Sequence, residues 1–414
     1  MSEVLALVER LYREESGKIL PTLIRVLGDF TLAEEYLQEA FRSAIEQWPA
    51  QGVPDSPRAW IIRAARNRAI DEVRRRQRLD ERTAALEQLA ALPKEIEEVP
   101  AIADDQLRLL YTCCHPALAP EAQVALTLRT TCGLSTEAIA HAFLVPTATM
   151  AQRIVRAQRK IRDARIPYEV PDASELEERT DAVLATVYLT FNEGYAATGG
   201  SELVRVDLCE EAIRLGRVLV HLLPGHGEAA ALLALVILHH ARRRARVAPD
   251  GGLVLLDQQD RSRWERQEIE EGRAVLRRAL MLRAHGPYVI QAAIAALHDE
   301  APSPDATDWK QIAALYERLF QLQPTPVVAL NRAAAVAMAE GAERGLAQVD
   351  DLEACGLLRG YHLLPAARAD LLRRLGRRDE AAAAYAQAIA LSRNEAERKY
   401  LESRLTEMRR DGNR

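Results

Sequence analysis

The chain has 414 residues, room for about three domains at ~150 residues each. Its net charge of -5 does not exclude nucleic acid, because the basic residues gather on two segments while the rest carries the surplus acid. The longest apolar run, Ala229 to Leu238, falls well short of the ~20 residues of a bilayer span, and no basic-then-apolar signal opens the sequence; a cytoplasmic protein without a membrane partner is expected.

Residues 28 to 48 supply the first strong element. Ala33, Leu37, Phe41, Ala44 and Trp48 repeat at helical spacing and predict a buried stripe, with Glu34, Glu35, Gln38 and Glu39 outside it. Thr31 is expected to cap this helix, with Glu34 answering in a capping box. The connector from Pro49 to Ser56 contains Gly52 and Pro54, and Ser56-Pro57 places a cap and then a proline at the first helical position. The next helix is cationic. Eight arginines lie from Arg58 to Arg78 against Asp71 and Glu72, interleaved with Ile62, Ala65, Ala69 and Val73 at spacings of three and four. Trp60 sits near its start. This pattern predicts a folded basic surface rather than a solvated tail.

Residues 79 to 105 are a different material, with Asp80, Glu81, Glu87, Glu95, Glu97, Glu98, Asp104 and Asp105 against Arg82 and Lys94. Pro93 and Pro100 limit continuous helix, and an acidic tether is expected. Beyond it, Ser135 is placed to cap a helix carrying Ile139, Ala140 and Phe143, and a turn at Leu144 to Pro146 leads into a second helix near Thr147. Met150, Ile154, Ala157 and Ile161 form its buried stripe, leaving Arg153, Arg156, Arg159, Lys160 and Arg162 off it. Two short helices with a tight turn and a basic second helix read as a helix-turn-helix. Base-reading falls to Thr147, Thr149, Gln152, Arg153 and Arg156 in the amino-terminal half of this helix, since arginine suits guanine and glutamine suits adenine.

The remaining sequence, from about residue 175, is rich in alanine, leucine and arginine, and aromatics make up only 5% of the whole chain, so helical hairpins are expected. Leu375 to Ala381, followed by Tyr385 and Ala388, matches the second-helix pattern of a tetratricopeptide repeat. Gly341 stands 35 residues before Gly376 as a weaker copy, near the repeat's ~34-residue period.

The string Gly28-Asp29, Ala33-Glu34-Glu35, Gln38-Glu39, Phe41, and then Arg58-Ala59-Trp60, Arg63, Ala65-Arg66-Asn67, resembles domain 2 of bacterial RNA polymerase sigma factors of the extracytoplasmic-function type. Ser135 to Arg162 resembles their domain 4, with Leu144 where the family usually has glycine and Ala151 where it often has lysine. Tyr188 to Tyr195, Leu253 to Trp264 and Tyr361 to Pro365 resemble the carboxy-terminal extension of one subgroup, which carries tetratricopeptide-like helices. The resemblance implies an all-α chain: a domain 2 bundle at 1–78, a linker at 79–105, a domain 4 helix-turn-helix at 106–167 and a helical extension at 175–414. It implies that Asp29, Glu34, Glu35, Gln38 and Glu39 meet core RNA polymerase. Trp60, Arg63, Arg66, Asn67, Arg74, Arg75 and Arg76 would meet the minus-ten promoter element, and Thr147, Thr149, Gln152, Arg153, Arg156 and Arg159 the minus-thirty-five duplex. The partners are then polymerase core, promoter DNA and a regulatory protein at the extension.

Other chemistry is weaker. Cys113-Cys114-His115 lacks the two-to-four-residue gap of a zinc knuckle, and Cys132, Cys209 and Cys355 are scattered, so no metal and no cofactor are expected. His239 and His240 follow the apolar run and read as core histidines. Asp257, Asp260 and Arg261 read as caps or ion pairs, with Asn192-Glu193 the other carboxylate motif an enzyme would need. A phosphate loop, a nucleophile elbow and a paired HExxH are all missing, and no enzymatic activity is expected. A second reading is a stand-alone helix-turn-helix regulator that senses a partner through its repeats. The acidic helix separates the two, because such a regulator has no use for a polymerase clamp.

Overall fold

The computed structural model describes residues 2–27, 29–77, 100–131, 133–143, 145–172, 175–197, 203–249 and 251–410. The described residues are overwhelmingly helical and form two compact units, Met1–Thr186 and Val187–Arg414.

The first unit begins with α1 (Ser2–Leu27), α2 (Phe30–Gln51) and α3 (Pro57–Gln77). Ile19, Leu23 and Ile24 of α1 share a core with Ala33, Leu37, Phe41, Ala44 and Trp48 of α2 and Ile61, Ile62, Ala65 and Ala69 of α3. Asp29, not Thr31, caps α2: its carboxylate accepts from the Thr31 and Leu32 amides at 2.8 and 3.0 Å. A carboxylate is a strong cap and also opposes the positive helix end. With the cap at Asp29, Glu34 lies too far along the first turns to answer it. The helix also runs through Pro49, and Gly52 at φ 83 ends it, so the connector shrinks to residues 52–56. Pro57 opens α3 as expected.

Next come α4 (Pro100–Cys113), α5 (Pro120–Thr130), α6 (Thr136–Ala142) and α7 (Thr147–Asp163). Residues 79–99 of the expected tether lie outside the described residues, whereas its last six residues are already helix. Asp105, read as a tether acid, is 2% exposed and paired with Arg25 Nε at 2.7 Å. α1 packs against α4 along this line. Pro21 lacks an N–H, so the Gly17 carbonyl has no helical partner four residues on, and Gln106 Nε2 donates to it at 3.2 Å.

α8 (Leu176–Tyr195) runs through the division between the units. Its first half belongs to the first unit: Arg179 Nη2 donates to the Tyr111 carbonyl at 2.7 Å, and the Tyr111 hydroxyl meets Thr180 Oγ1 at 3.1 Å. The extension expected from residue 175 therefore gives its first helical turns to the body before it. Cys113 and Cys114 are buried here against Thr130, Thr127 and Thr186, and burial pushes both thiols up.

The second unit continues with α9 (Val206–Leu222), α10 (Gly227–His240), α11 (Arg266–Met281), α12 (Pro287–Glu300) and α13 (Trp309–Leu322). It ends with α14 (Pro326–Glu340), α15 (Ala342–Cys355), α16 (Leu363–Arg374), α17 (Arg378–Leu391) and α18 (Glu395–Arg410). Most helices pack on their sequence neighbours. α10 is buried all round, as its apolar run demands, with α11 and α12 against it. α14 to α18 form a second core in which Tyr385 is 2% exposed among Ala381, Ala384 and Ala388. Gly345 lets α15 approach α14: a Cβ there would lie 2.3 Å from Ala337 Cβ and 2.8 Å from the Ala333 carbonyl.

Candidate nucleic-acid and polymerase interface

The residues expected to grip polymerase divide by environment. Glu35 and Gln38 are exposed on the outer face of α2, opposite its buried stripe. Glu34 and Glu39 are half-buried and engaged: Arg129 Nε of α5 stands 3.3 Å from Glu34 Oε1, and Arg68 Nη1 of α3 is 2.7 Å from Glu39 Oε2. Arg68 also donates from Nη2 to Ser43 Oγ at 2.6 Å, so one guanidinium bolts α3 onto α2. Asp29 caps its helix with Oδ1 and has Arg162 of α7 at 4.0 Å from Oδ2. Sequence reading gave Arg68, Arg129 and Arg162 no place against these acids, and no local pattern could have done so: Glu34 and Arg129 are 95 positions apart.

On α3, Arg63 and Asn67 are exposed and Arg66 is half-buried. Trp60 is half-buried, because its ring meets the buried Trp48 edge to face, centroids 5.4 Å apart at 69°. It anchors the start of α3 on α2 while part of its surface faces out. The side chains of Arg74, Arg75 and Arg76 lie outside the described residues.

On α7 the expected stripe of Met150, Ile154, Ala157 and Ile161 is buried. Thr147, Thr149, Gln152, Arg156 and Arg159 are exposed, and the last four recur at three and four residues, a single outward face. Arg153 is half-buried, its guanidinium 5.9 Å above the Phe143 ring of the preceding turn. That contact steadies its stem and leaves it less free to reach a base than Gln152 or Arg156. Asp163 is the lone acid of this helix against Arg153, Arg156, Arg159, Lys160 and Arg162, and the last two sit in its final turn, where the helix dipole favours cations.

The second unit holds the other singled-out motifs. Residues 251–264 form a strap, paired by a bridge between Val247 and Leu253 and pinned where Arg261 Nη1 donates to the His298 carbonyl at 2.7 Å and to that of Ala301. Trp264 is buried under the guanidinium of Arg261, 4.6 Å away. Asp260 caps the turn at Ser262, and Asp257 is exposed; the two carboxylates are not brought into one site. His240 is buried with Nδ1 2.9 Å from Glu268 Oε2, and His239 contacts Arg242 at 2.5 Å. A cavity of about 670 Å³ lies between the strap (Leu255, Asp257, Arg261) and Met338, Leu371 and Arg374. Among the described residues no three His, Cys, Asp or Glu side chains are grouped to hold a metal ion.

Known proteins share parts of this sequence. The chain is 46% identical to an uncharacterized protein of Rhizobium meliloti (strain 1021) over 390 residues, covering 92% of this chain and 91% of that protein. The two belong to one family. Residues 11–79 match sigma-70 region 2, and residues 179–280 match a family of unknown function, DUF6596. A probable ECF RNA polymerase sigma factor, SigI, of Mycobacterium tuberculosis is 27% identical over 170 residues, 40% of this chain and 58% of that protein. The ECF RNA polymerase sigma factor SigE of Mycolicibacterium smegmatis is 27% identical over 163 residues, 37% of this chain and 60% of that protein. No solved structure matches. Together the region 2 match and these relatives support a sigma factor. The region 2 match spans most of α1 with all of α2 and α3, so the Trp48–Trp60 contact and the Arg68 bolt are internal to that region. The DUF6596 match runs from α8 into α11 and takes in the strap.

Proposed function

We propose that the chain is an RNA polymerase sigma factor that directs promoter-specific initiation and performs no covalent chemistry of its own. The observation that carries this reading is the sigma-70 region 2 match laid over a helix pair that exposes Glu35 and Gln38 on α2 and Arg63 and Asn67 on α3. The exposed Glu35 and Gln38 dock on core polymerase. α3 holds the unpaired minus-ten strand, where arginines on the backbone give salt-sensitive affinity and a held base favours the melted state. α6 and α7 act as a helix-turn-helix on the minus-thirty-five duplex, with Gln152 and Arg156 reading bases and Arg159 on phosphate. The second unit is a tetratricopeptide-like regulatory module, and its cavity beside the strap suits a partner. The protein works in the cytoplasm with polymerase; no helix among the described residues is long and apolar enough to cross a membrane.

Run-off transcription with purified core polymerase on a library of promoter fragments tests this reading. Specific transcripts that need both the chain and core are expected. Duplex binding by the chain alone, with no transcript from any fragment, would favour the stand-alone regulator.

A further inference from the structure

In the second unit, α11 to α17 pack in chain order, each helix on the next, through short connections. A short connection between packed helices reverses the chain, so alternate connections fall on the same side. The α11–α12, α13–α14 and α15–α16 turns therefore share one rim. The strap, the α12–α13 loop and the α14–α15 and α16–α17 turns share the other, and the cavity lies towards that side. The α9–α10 turn is tied to the first rim: Arg278 Nη2 donates to the Pro224 carbonyl at 3.0 Å, and the Gly286 and Tyr288 amides donate to the Glu228 carboxylate at 3.1 and 2.9 Å.

The two rims differ in what they expose. Of the ten large apolar side chains that the described part of the second unit leaves exposed, seven lie on the first rim, the other three being Leu189, Val206 and Met338. Leu280, Met281 and Leu282 close α11, Leu322 and Val327 flank the α13–α14 turn, and Leu357 and Leu363 belong to the α15–α16 turn. Met281 is 77% exposed and Leu357 72%. Isolated exposed leucines need no explanation, but recurrence at three successive turns of one rim marks a contact surface.

Charge states what would cover it. Arg277 and Arg283 are exposed beside the first cluster, Arg318 beside the second and Arg359 within the third. Arg277 and Arg318 stand four residues before Met281 and Leu322, on the same helical face as each. Within two helical turns of these connections the acids are Glu317, Asp350, Asp351 and Glu353, and Arg332 and Arg368 engage all but Asp351. Arginine and methionine around leucine are what protein interfaces favour. No aromatic side chain is among the seven, and the polar Gln321, Gln323 and Thr325 stand between Leu322 and its neighbours, whereas a tip that enters a membrane carries aromatic anchors.

We propose that this rim is a docking surface for an acidic amphipathic helix of a partner protein. Packed helices lie about 8–10 Å apart, so successive clusters, two helices apart, are about 18 Å from one another and all three span about 36 Å. A helix of about 24 residues covers that length at 1.5 Å per residue. Its apolar stripe meets the leucines and Met281, whose flexible thioether adapts to the stripe, and its carboxylates meet the arginines.

The test uses the full chain and a fluorescein-labelled synthetic peptide of about 28 residues, with leucine at helical three-and-four spacing, glutamate flanking that stripe and alanine elsewhere. A second peptide carries lysine for every glutamate. The variants are Met281→Gln with Leu357→Gln and Arg277→Glu with Arg359→Glu; all four side chains are exposed, and circular dichroism verifies folding. Fluorescence anisotropy is expected to show saturable binding of the acidic peptide by wild type, weakened by salt, and binding of the lysine peptide at least tenfold weaker. Each double variant is expected to lose about tenfold for the acidic peptide. Absence of saturable binding, equal affinity for the two peptides, or undiminished binding by the glutamine variant would each overturn the proposal. Phosphatidylglycerol vesicles form the last arm: wild type is expected to stay in the supernatant, and co-sedimentation that the glutamine variant abolishes would assign the rim to lipid instead. None of these readouts depends on polymerase or promoter, so they stand or fall apart from the sigma reading.

Discussion

Replacing Trp48 by alanine should disable the first unit, and by phenylalanine should do much less. Trp48 is 2% exposed between α2 and α3 and meets Trp60 edge to face at 5.4 Å. Deleting a buried aromatic leaves a cavity and costs about 3–5 kcal/mol, with the lost ring pair contributing about 0.5–1.5 kcal/mol of that. The Trp48 indole N–H, however, is buried without an acceptor. Leaving such a donor unmade costs about 1–3 kcal/mol in the native state, and phenylalanine removes that penalty while keeping a ring against Trp60. Its smaller volume and the relieved donor offset each other, so Trp48→Phe should cost about 1 kcal/mol or less. Urea unfolding followed at 222 nm measures both. The reasoning fails if Trp48→Ala costs under about 1 kcal/mol, or if phenylalanine is as damaging as alanine. Because Trp60 seats the cationic helix on the acidic one, Trp48→Ala should also weaken promoter melting beyond its effect on core binding.

Two further outcomes concern the second unit. Gly345→Leu should cost about 1–3 kcal/mol by overpacking, since even a Cβ meets Ala337 Cβ at 2.3 Å; a thermal midpoint equal to wild type would mean that α14 and α15 do not approach this closely. Burial, with Arg242 and Arg261 adding to it, depresses His298 from 6.5 to about 3, so the stability it lends is full above about 6.5 and is lost as the pH falls towards 3. Burial raises Asp299 from 3.8 to about 6, against the pull of Arg242 and Arg261, so it lends stability that is fully present below 3.8 and is lost as the pH rises through about 6. Urea midpoints between pH 6.5 and 4 should therefore fall less steeply for His298→Gln than for wild type, and more steeply for Asp299→Asn. Parallel curves for all three proteins would contradict both shifts.

The elements were legible where one face is apolar. The stripes of α2 and α7, and Ile62, Ala65 and Ala69 of α3, follow from spacing alone, because burying them is the main gain from making those helices; the side chain of Val73 lies outside the described residues. The α2 cap was misread by two residues because Asp29 and Thr31 are both good caps and only the backbone decides between them. The tether was read too long because composition shows Asp104 and Asp105 as two more acids, while the Arg25 and Thr22 that bury Asp105 lie some eighty positions away. The site was half legible for the same reason. Exposure of Glu35, Gln38, Gln152 and Arg156 follows from helical phase, but the engagement of Asp29, Glu34 and Glu39 depends on arginines that helical phase cannot place.

Core binding by a variant changed only on the outward face of α2 tests the central claim most directly. Glu35→Lys with Gln38→Lys alters two outward side chains of α2 and spares Asp29, Glu34 and Glu39, which serve the cap, the ion pair with Arg129 and the bolt to α3. The account predicts that the double variant keeps wild-type helicity and duplex DNA binding while losing at least tenfold in affinity for purified core polymerase, about 1.4 kcal/mol. Undiminished core binding by a folded double variant would contradict it.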